Sequence, residues 1–412
     1  MPSADYVVIH NGTVLTDFGE IPNGMVVVRG RRIDFVGRFE PSRFPEGTHG
    51  VDARGMFIAP GFVDIHVHGG AGADFMDATA DAVETVFRYH LAHGTTTLCP
   101  TTATAPREEI LEAIGAIEQY RTGEQAFGRV HGVHVEGPYL APTKRGCHLP
   151  DQVRSPEPGE WKAILERGRI ASMTLAPELP GARPLIEALV RQGAVAAAGH
   201  SEALYHEMES AMESGVSHVT HLYCAMTSAL SNRWRGTPHP RAAGMLEAVY
   251  LEDKLTSELI ADGKHLAAQM VRLAVRIKGP ERLAIVTDAM RGAGMPDGEY
   301  TFGSRRGSRA VVRNRESRIP DGTALASSVF PMNEMVRIVK EQTGIRWWEA
   351  VRMASLTPAE AVGASGEVGS LTPGKWADIV LFDEQVQIRQ VFLGGQPVQV
   401  PGLSLDPAGD LY

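Results

Sequence analysis

The sequence has few of the features expected of a secreted or membrane-bound protein. Only three cysteines occur in 412 residues, which is too few for a disulfide framework and predicts a reducing compartment. No run approaches the ~20 apolar residues that a membrane-spanning helix needs. The first residues also lack the basic and then apolar pattern of a signal peptide. We therefore expect a cytoplasmic protein without a membrane partner.

Basic stretches are missing as well. The net charge is −9 and the isoelectric point is near 5.9, which argues against nucleic acid as a partner. Hydrophobic residues make up 43% of the chain and charged residues 22%, a composition typical of globular proteins. The length suits a barrel of about 250 residues together with an accessory domain.

Eight short apolar runs do occur, and each is followed by a polar cluster. The first covers residues 62–65 and leads to His66-Val67-His68, while the eighth covers residues 283–286 and leads to Thr287-Asp288. Stretches of helical composition lie between the runs. This alternation predicts the α/β class, as a (β/α)₈ TIM barrel whose functional site lies at the carboxyl ends of the strands.

Both ends of the chain have a different pattern, with short strands separated by turns. Residues 6–52 and 376–395 read as hairpins, and neither segment alone is long enough for a good core. We expect them to join into a small β-sandwich domain made of residues 1–57 and 366–412. The barrel, residues 58–365, would then lie between the two parts of a discontinuous domain.

Histidines and one glutamate at the predicted strand ends suit a metal site. His66 and His68 point to the same face of an extended strand, because side chains alternate along it. Two unrelated polar histidines would be the alternative interpretation of this pair. Glu136, His200 and His221 follow the third, fifth and sixth strands and can face one point. One carboxylate and two imidazoles with an open position suit a divalent ion such as zinc or iron(II).

A set of ordered motifs resembles a known family. PGFVDIHVHGG at residues 60–70 and GKWADIV at 374–380 resemble the amidohydrolase superfamily. The N-acetylglucosamine-6-phosphate deacetylase family is more similar still. Its motifs match, in order, HVEGPYL at 134–140, KRGCH at 144–148, GHS at 199–201, THLY-x-AM at 220–226, IADGKH at 260–265 and VTDA at 286–289.

This resemblance implies a set of metal ligands. Glu136, His200 and His221 match the ligands of the principal ion in the family. His66 and His68 match the ligands of a second ion in those members that bind two, with Glu136 able to bridge the ions. The resemblance therefore implies one or two divalent ions per subunit.

Asp288 is the predicted proton-transfer residue. A carboxylate beside a metal-activated water can accept its proton and return it to a leaving amine. The matching aspartate has this role in the family. The alternative interpretation is that the Thr-Asp-Ala segment only caps a helix after the eighth strand.

The predicted substrate pocket departs from the family. His148 and His265 match positions that contact the sugar or polarise the acetyl carbonyl. Where the family usually has an asparagine that helps to hold a 6-phosphate together with the neighbouring backbone, this chain has Cys224 between Tyr223 and Ala225. We therefore expect the segment around Cys224 to contact the substrate, with altered recognition of the phosphate.

The segment that follows, residues 227–241, looks longer than in the family. Arg233, Arg235 or Arg241 could replace the arginine that binds the phosphate, because a guanidinium makes paired contacts with it. Alternatively, Trp234 stacks on a sugar face while the arginines lie only at the surface.

Three functions follow from these observations. The leading one is metal-dependent hydrolysis of the N-acetyl group of N-acetylglucosamine 6-phosphate, to glucosamine 6-phosphate and acetate. The second is deacetylation of another N-acyl amino sugar, including an unphosphorylated one. The third is a non-catalytic barrel that acts as an assembly partner. The resemblance also implies a homodimer that acts on a small amino-sugar substrate.

Overall fold

The computed structural model describes residues 6–43, 48–123, 125–229 and 242–399. Its central feature is a set of eight parallel strands, one for each apolar run of the sequence. We name them barrel strands 1 to 8, and they are Phe62–Val67, Thr95–Thr102, Val133–Glu136, Ile170–Leu175, Val195–Ala198, Val216–Val219, Thr256–Ile260 and Leu283–Val286. The predicted TIM-barrel fold is confirmed.

The barrel strands pair in sequence order, each with the next. Strands 1 and 8 meet just beyond strand 8, where the Asp288 backbone N–H donates to the His66 carbonyl at 2.9 Å. Beside this contact, the hydroxyl of Thr287 donates to buried Asp64 at 2.5 Å. The eighth strand is thus tied to the first.

Helices cover the outside of the barrel. The helix Ala80–Ala92 is typical, because its buried residues Val83, Val86, Phe87 and Leu91 recur with helical spacing, and the Thr79 hydroxyl caps its start. Every helix among the described residues is too short or too polar to span a bilayer. Besides Ala80–Ala92, the described α-helices are Arg107–Thr122, Pro158–Arg167, Ala182–Arg191, Tyr205–Ser214, Met245–Leu251, Ala268–Lys278, Met332–Thr343, Trp347–Met353 and Leu356–Ala361.

A small antiparallel sheet follows barrel strand 8 and was not predicted. It consists of Gly298–Phe302, Ser308–Arg313 and Glu316–Arg318. The ring of Phe302 at its first strand lies 4.9 Å from the ring of His68, measured between centroids. This insertion therefore forms part of the wall above the strand ends. Shorter strand pieces are Gly69–Gly70, Ala73–Asp74 and Arg129–Val130.

The two ends of the chain join in one sheet beside the barrel, as predicted. Strand Ile379–Phe382 from the second half pairs antiparallel with Phe57–Pro60 from the first half. Residues of both segments share one apolar core. The exact division of the chain at residues 57/58 and 365/366 stays a prediction. The remaining strands are Tyr6–Thr16, Gly19–Arg29, Arg32–Arg38, His49–Asp52, Ile388–Leu393 and Gln396–Val398.

The joint between this sheet and the barrel contains an ion pair between half-buried Arg129 and buried Asp378. Arg129 donates to both oxygens of Asp378, at 2.6 and 3.0 Å, and its guanidinium lies 3.8 Å from the ring centroid of Trp376. The Gly394 N–H also donates to Asp378, at 2.7 Å. The charges at this joint are therefore matched to one another.

Candidate active site

The polar side chains at the barrel's carboxyl end are presented by sharply turned backbone. His200, His221 and Asp288 each lie two residues beyond a barrel strand, and their φ angles are 47°, 25° and 45°. Residues other than glycine rarely adopt this left-handed conformation, and such strain concentrates at functional sites. The turns direct these side chains over the barrel mouth instead of along the strands.

Two glycines allow the site to pack closely. A side chain at Gly199 would meet Thr174 and Thr220 at 2.8 Å, so only glycine fits directly before His200. Gly146 has a φ of 59°, and a Cβ there would lie 3.3 Å from the His200 ring. Both positions beside the predicted ligand His200 therefore favour glycine.

The carboxylate of Glu136 lies at the centre of the site. Its Oε1 is 3.4 Å from the Nε2 of His66, 3.2 Å from that of His200 and 3.3 Å from that of His221. The Nε2 atoms of His200 and His221 are only 2.9 Å apart. The predicted ligands His66, His200 and His221 thus surround one oxygen of Glu136, which is itself a predicted ligand.

The second oxygen of Glu136 faces two further histidines. Oε2 lies 3.2 Å from the Nε2 of His68 and 3.3 Å from that of His148. Asp288 Oδ1 lies 3.4 Å from the same Nε2 of His68 and accepts from the Ser327 hydroxyl at 3.1 Å. His148, predicted as a substrate contact, is therefore inside the same cluster as the predicted ligands.

This donor set fits a divalent cation. The Nδ1 of His200 donates to the Lys144 carbonyl at 2.7 Å, so in the neutral ring Nε2 carries a lone pair. That lone pair faces the Nε2 of His221 and a carboxylate oxygen. Buried lone pairs and carboxylates that converge in this way are stabilised by a metal ion. Two groups of side chains have ligand atoms within 4.8 Å of one another, namely His66, His68 and Asp288, and Glu136, His148 and His200.

The electrostatics of the site also favour a cation. Burial opposes ionisation, yet the neighbouring imidazoles, His66 first, hold the pKa of Glu136 well below its usual range. Burial likewise opposes charge on His68, but Asp288 and Glu136 raise the pKa of His68 to about 9. Protons on the imidazoles therefore balance the carboxylates, and a bound cation would take the place of these protons.

Glu258, in barrel strand 7, was missed by the sequence analysis. Its carboxylate accepts from His66 Nδ1 at 2.9 Å, from the His221 N–H at 3.0 Å and from His218 Nε2 at 3.2 Å. A glutamate inside an apolar strand was the available signal, because such a residue is buried only with partners. Its partner His66 lies in barrel strand 1.

A cavity of about 300 Å³ opens above these residues. His265 lines it and is held by Asp262, whose Oδ2 lies 2.9 Å from the His265 Nδ1. Lys144 is the only lysine or arginine among its lining residues in the described chain. The other predicted site residues on its wall are Glu136, His148, His200, His221, Cys224, Ala225 and Asp288.

Some predicted substrate contacts are not brought to this cavity. The Tyr223 side chain is absent from the described lining, and its hydroxyl donates to the Met270 carbonyl at 3.2 Å and contacts Tyr250. Arg233, Arg235 and Arg241, together with Trp234, lie outside the described residues. Their predicted contact with a phosphate stays a prediction.

The barrel and its cluster of histidines and carboxylates define a hydrolase of amide C–N bonds, and the Amidohydrolase family model matches residues 57–398. The chain is 34% identical to N-acetylgalactosamine-6-phosphate deacetylase of Escherichia coli O157:H7, over 82% of this chain and 87% of that protein. It is 31% identical to N-acetylglucosamine-6-phosphate deacetylase of Bacillus subtilis, over 93% and 95%.

A solved structure agrees. N-acetyl-D-glucosamine-6-phosphate deacetylase of Mycobacterium smegmatis superimposes with a TM-score of 0.85 at 32% identity, over 96% of this chain and 100% of that one. The chain belongs to the N-acetylglucosamine-6-phosphate deacetylase family of amidohydrolases.

Proposed function

We propose that this protein hydrolyses the N-acetyl group of N-acetylglucosamine 6-phosphate, releasing glucosamine 6-phosphate and acetate. The observation that carries the proposal is the buried convergence of five imidazoles on the two oxygens of Glu136, with Asp288 beside them. A histidine cluster with only a structural role would not explain why these lone pairs and charges converge on one buried point. The names of the relatives supply the substrate.

We propose that Glu136, His200 and His221 hold the principal ion, and that His66 and His68 hold a second one. When bound, a divalent ion polarises an amide carbonyl and makes a water easier to deprotonate. Zinc and iron(II) both accept nitrogen and oxygen ligands, and zinc is the ion we propose.

Asp288 has the position for proton transfer. Its Oδ1 accepts from Ser327 at 3.1 Å, which orients the carboxylate while the side chain still lines the cavity. A carboxylate in this position accepts a proton from the attacking water and returns it to the leaving amine. Burial opposes charge on His265, but the Asp262 carboxylate, which accepts from its Nδ1 at 2.9 Å, raises the pKa of His265, and the protonated ring can donate from Nε2 to the substrate.

The anionic end of the substrate requires a cationic contact away from Glu136 and Asp288. Lys144 lines the same cavity, donates one hydrogen bond to the Met226 carbonyl at 3.1 Å and has two donors left. Cys224 and Ala225 lie on the same wall. We propose that a 6-phosphate binds at Lys144, alone or together with the predicted Arg233, Arg235 or Arg241.

Steady-state kinetics on matched sugars test the function. We expect a higher kcat/KM for N-acetylglucosamine 6-phosphate than for unphosphorylated N-acetylglucosamine. N-acetylgalactosamine 6-phosphate is a second candidate, because the relative from Escherichia coli O157:H7 carries that name. Equal rates with and without the phosphate would support the broader N-acyl amino-sugar deacetylase instead.

The non-catalytic alternative has its own test. A barrel that serves only as an assembly partner would bind no metal after reconstitution, whereas an enzyme would bind one or two ions per chain. We further propose a homodimer in the cytoplasm, where the three free cysteines would stay reduced. Light scattering of the purified protein measures the oligomeric state.

A further inference from the structure

Glu258 is a fully engaged carboxylate beneath the candidate metal site. It is only 2% exposed, and it lies in barrel strand 7. Oε2 accepts from the ring of His66 and from the backbone of His221, at 2.9 and 3.0 Å, while Oε1 contacts His218 at 3.2 Å. A single side chain thereby joins barrel strands 1, 6 and 7.

The contact with His66 fixes which ring nitrogen carries the proton. Because a carboxylate only accepts, Nδ1 of His66 must be the donor, and in the neutral ring Nε2 then carries the lone pair. That Nε2 lies 3.3 Å from the Nε2 of His68 and 3.5 Å from Asp288. The lone pair therefore faces the group that could hold the second ion.

His68 provides an internal contrast. Its Nδ1 is buried and has no hydrogen-bond partner among the described residues. Of the two histidines in the His66-Val67-His68 motif, only His66 is held from behind by a carboxylate. Partners of this kind orient a ligating imidazole and raise its basicity.

We propose that Glu258 is a positioning residue that holds His66 ready to bind a metal ion and thereby sets the affinity of the ion at His66 and His68. This inference rests on the proposed metal-dependent function. It also predicts that the two ions differ in their dependence on Glu258, because the rings of His200 and His221 do not contact its carboxylate. Only the backbone of His221 does so.

A purely structural role for Glu258 is the competing explanation. The contact with His218, whose Nδ1 lies 2.7 Å from the Thr256 hydroxyl, is a buried polar contact of the barrel interior. Loss of such a contact would lower thermal stability without changing how many ions bind. The number and affinity of bound ions therefore distinguish the two roles.

The test is a titration of the metal-free full-length protein with Zn²⁺ by calorimetry, repeated with Co²⁺ while its absorption spectrum is recorded. We expect two ions per chain in the wild type. Glu258→Met should weaken one ion by roughly 10–100-fold, the usual effect of losing such a partner, and leave the other unchanged. Glu258→Gln should keep most of the affinity, because its amide oxygen can still accept from His66.

Asp64→Asn is the matched control. Asp64 is another buried carboxylate near His66, but it accepts from the His66 backbone N–H at 3.3 Å instead of from the ring. This variant should keep both ions. A similar loss of the same ion in Asp64→Asn would mean that any polar change beneath the site has this effect, which would overturn the assignment.

Two other results would also overturn it. One is wild-type affinity for both ions in Glu258→Met, and the other is a wild type that binds a single ion. If Glu258→Met does not fold, equal loss of both ions in Glu258→Gln would refute the inference. The proposed function fails separately, because it requires that the wild type release acetate and bind at least one ion.

Discussion

The carboxyl end of the barrel and its joint with the antiparallel sheet use buried charges in opposite ways. At the joint, Arg129 and Asp378 neutralise each other through two hydrogen bonds. At the barrel mouth, Glu136 and Asp288 lie among imidazoles, which are positively charged only when protonated. A matched pair is neutral without a ligand, whereas the proposed metal ion would balance the carboxylates at the barrel mouth. The comparison separates a pair that stabilises the fold from a cluster that we propose binds a metal ion.

The largest expected effect is a loss of turnover when Asp288, at the carboxyl end of the barrel, is replaced. Asp288→Asn should retain the bound metal and lose about 10²–10⁴-fold in kcat, because asparagine cannot accept the proton of water. Metal analysis and acetate release measure the two quantities on the same sample. Ser327→Ala, which removes only the hydrogen bond to Asp288, should lose much less. Turnover of Asp288→Asn within a few-fold of wild type would remove Asp288 from the proposed role.

A second change tests the metal ligands themselves. Glu136→Gln should lower metal content and deacetylation together, because the ion loses its anionic ligand. His66→Ala or His68→Ala should cost less turnover than His200→Ala if the principal ion alone is needed. Equal losses in all three would instead mean that both ions are essential. Full metal content with normal turnover in Glu136→Gln would exclude this residue from the site.

At the joint between the sheet and the barrel, a substitution should lower stability and leave turnover nearly unchanged. Arg129→Met leaves the buried carboxylate of Asp378 without its partner, and we expect a loss of roughly 3 kcal/mol in the free energy of unfolding. The kcat of the folded variant should stay near that of wild type. Chemical denaturation and kinetics at one temperature measure both. A large fall in kcat with unchanged stability would contradict the division of roles between the two regions.

The smallest expected effect is a change in KM when Lys144, which lines the cavity, is replaced. A hydrogen bond to a charged group contributes about 1.5–3 kcal/mol, so Lys144→Met should raise KM for the phosphorylated sugar about tenfold or more. KM for the unphosphorylated sugar should change little. Lys144→Arg, which keeps the charge, serves as the control. Equal changes for both sugars would place the phosphate elsewhere, with Arg233, Arg235 and Arg241 as the remaining predicted contacts.

The sequence predicted the barrel well because both of its signals are local. Eight apolar runs and the clusters after them are visible within a few residues, and barrel geometry then brings the clusters together. His66, Glu136, His200, His221 and Asp288 all reach the predicted centre for this reason.

The parts that were missed depend on contacts between distant segments. Glu258 reads as one polar residue in a strand until barrel closure brings His66 beside it. Phe302 belongs to an inserted sheet whose alternation is weak, and its contact with the ring of His68 depends on how that sheet folds back. Neither contact follows from spacing within one segment.

The most direct measurement is removal and return of the metal. We expect that the chelator-treated protein will no longer release acetate from N-acetylglucosamine 6-phosphate and that added Zn²⁺ or Fe²⁺ will restore the rate. The thermal midpoint should fall on removal, since a ligand present at 100 times its Kd stabilises the native state by about 2.7 kcal/mol. Undiminished turnover by protein shown to be free of metal would contradict the proposal that the buried carboxylates and imidazoles form a catalytic metal centre.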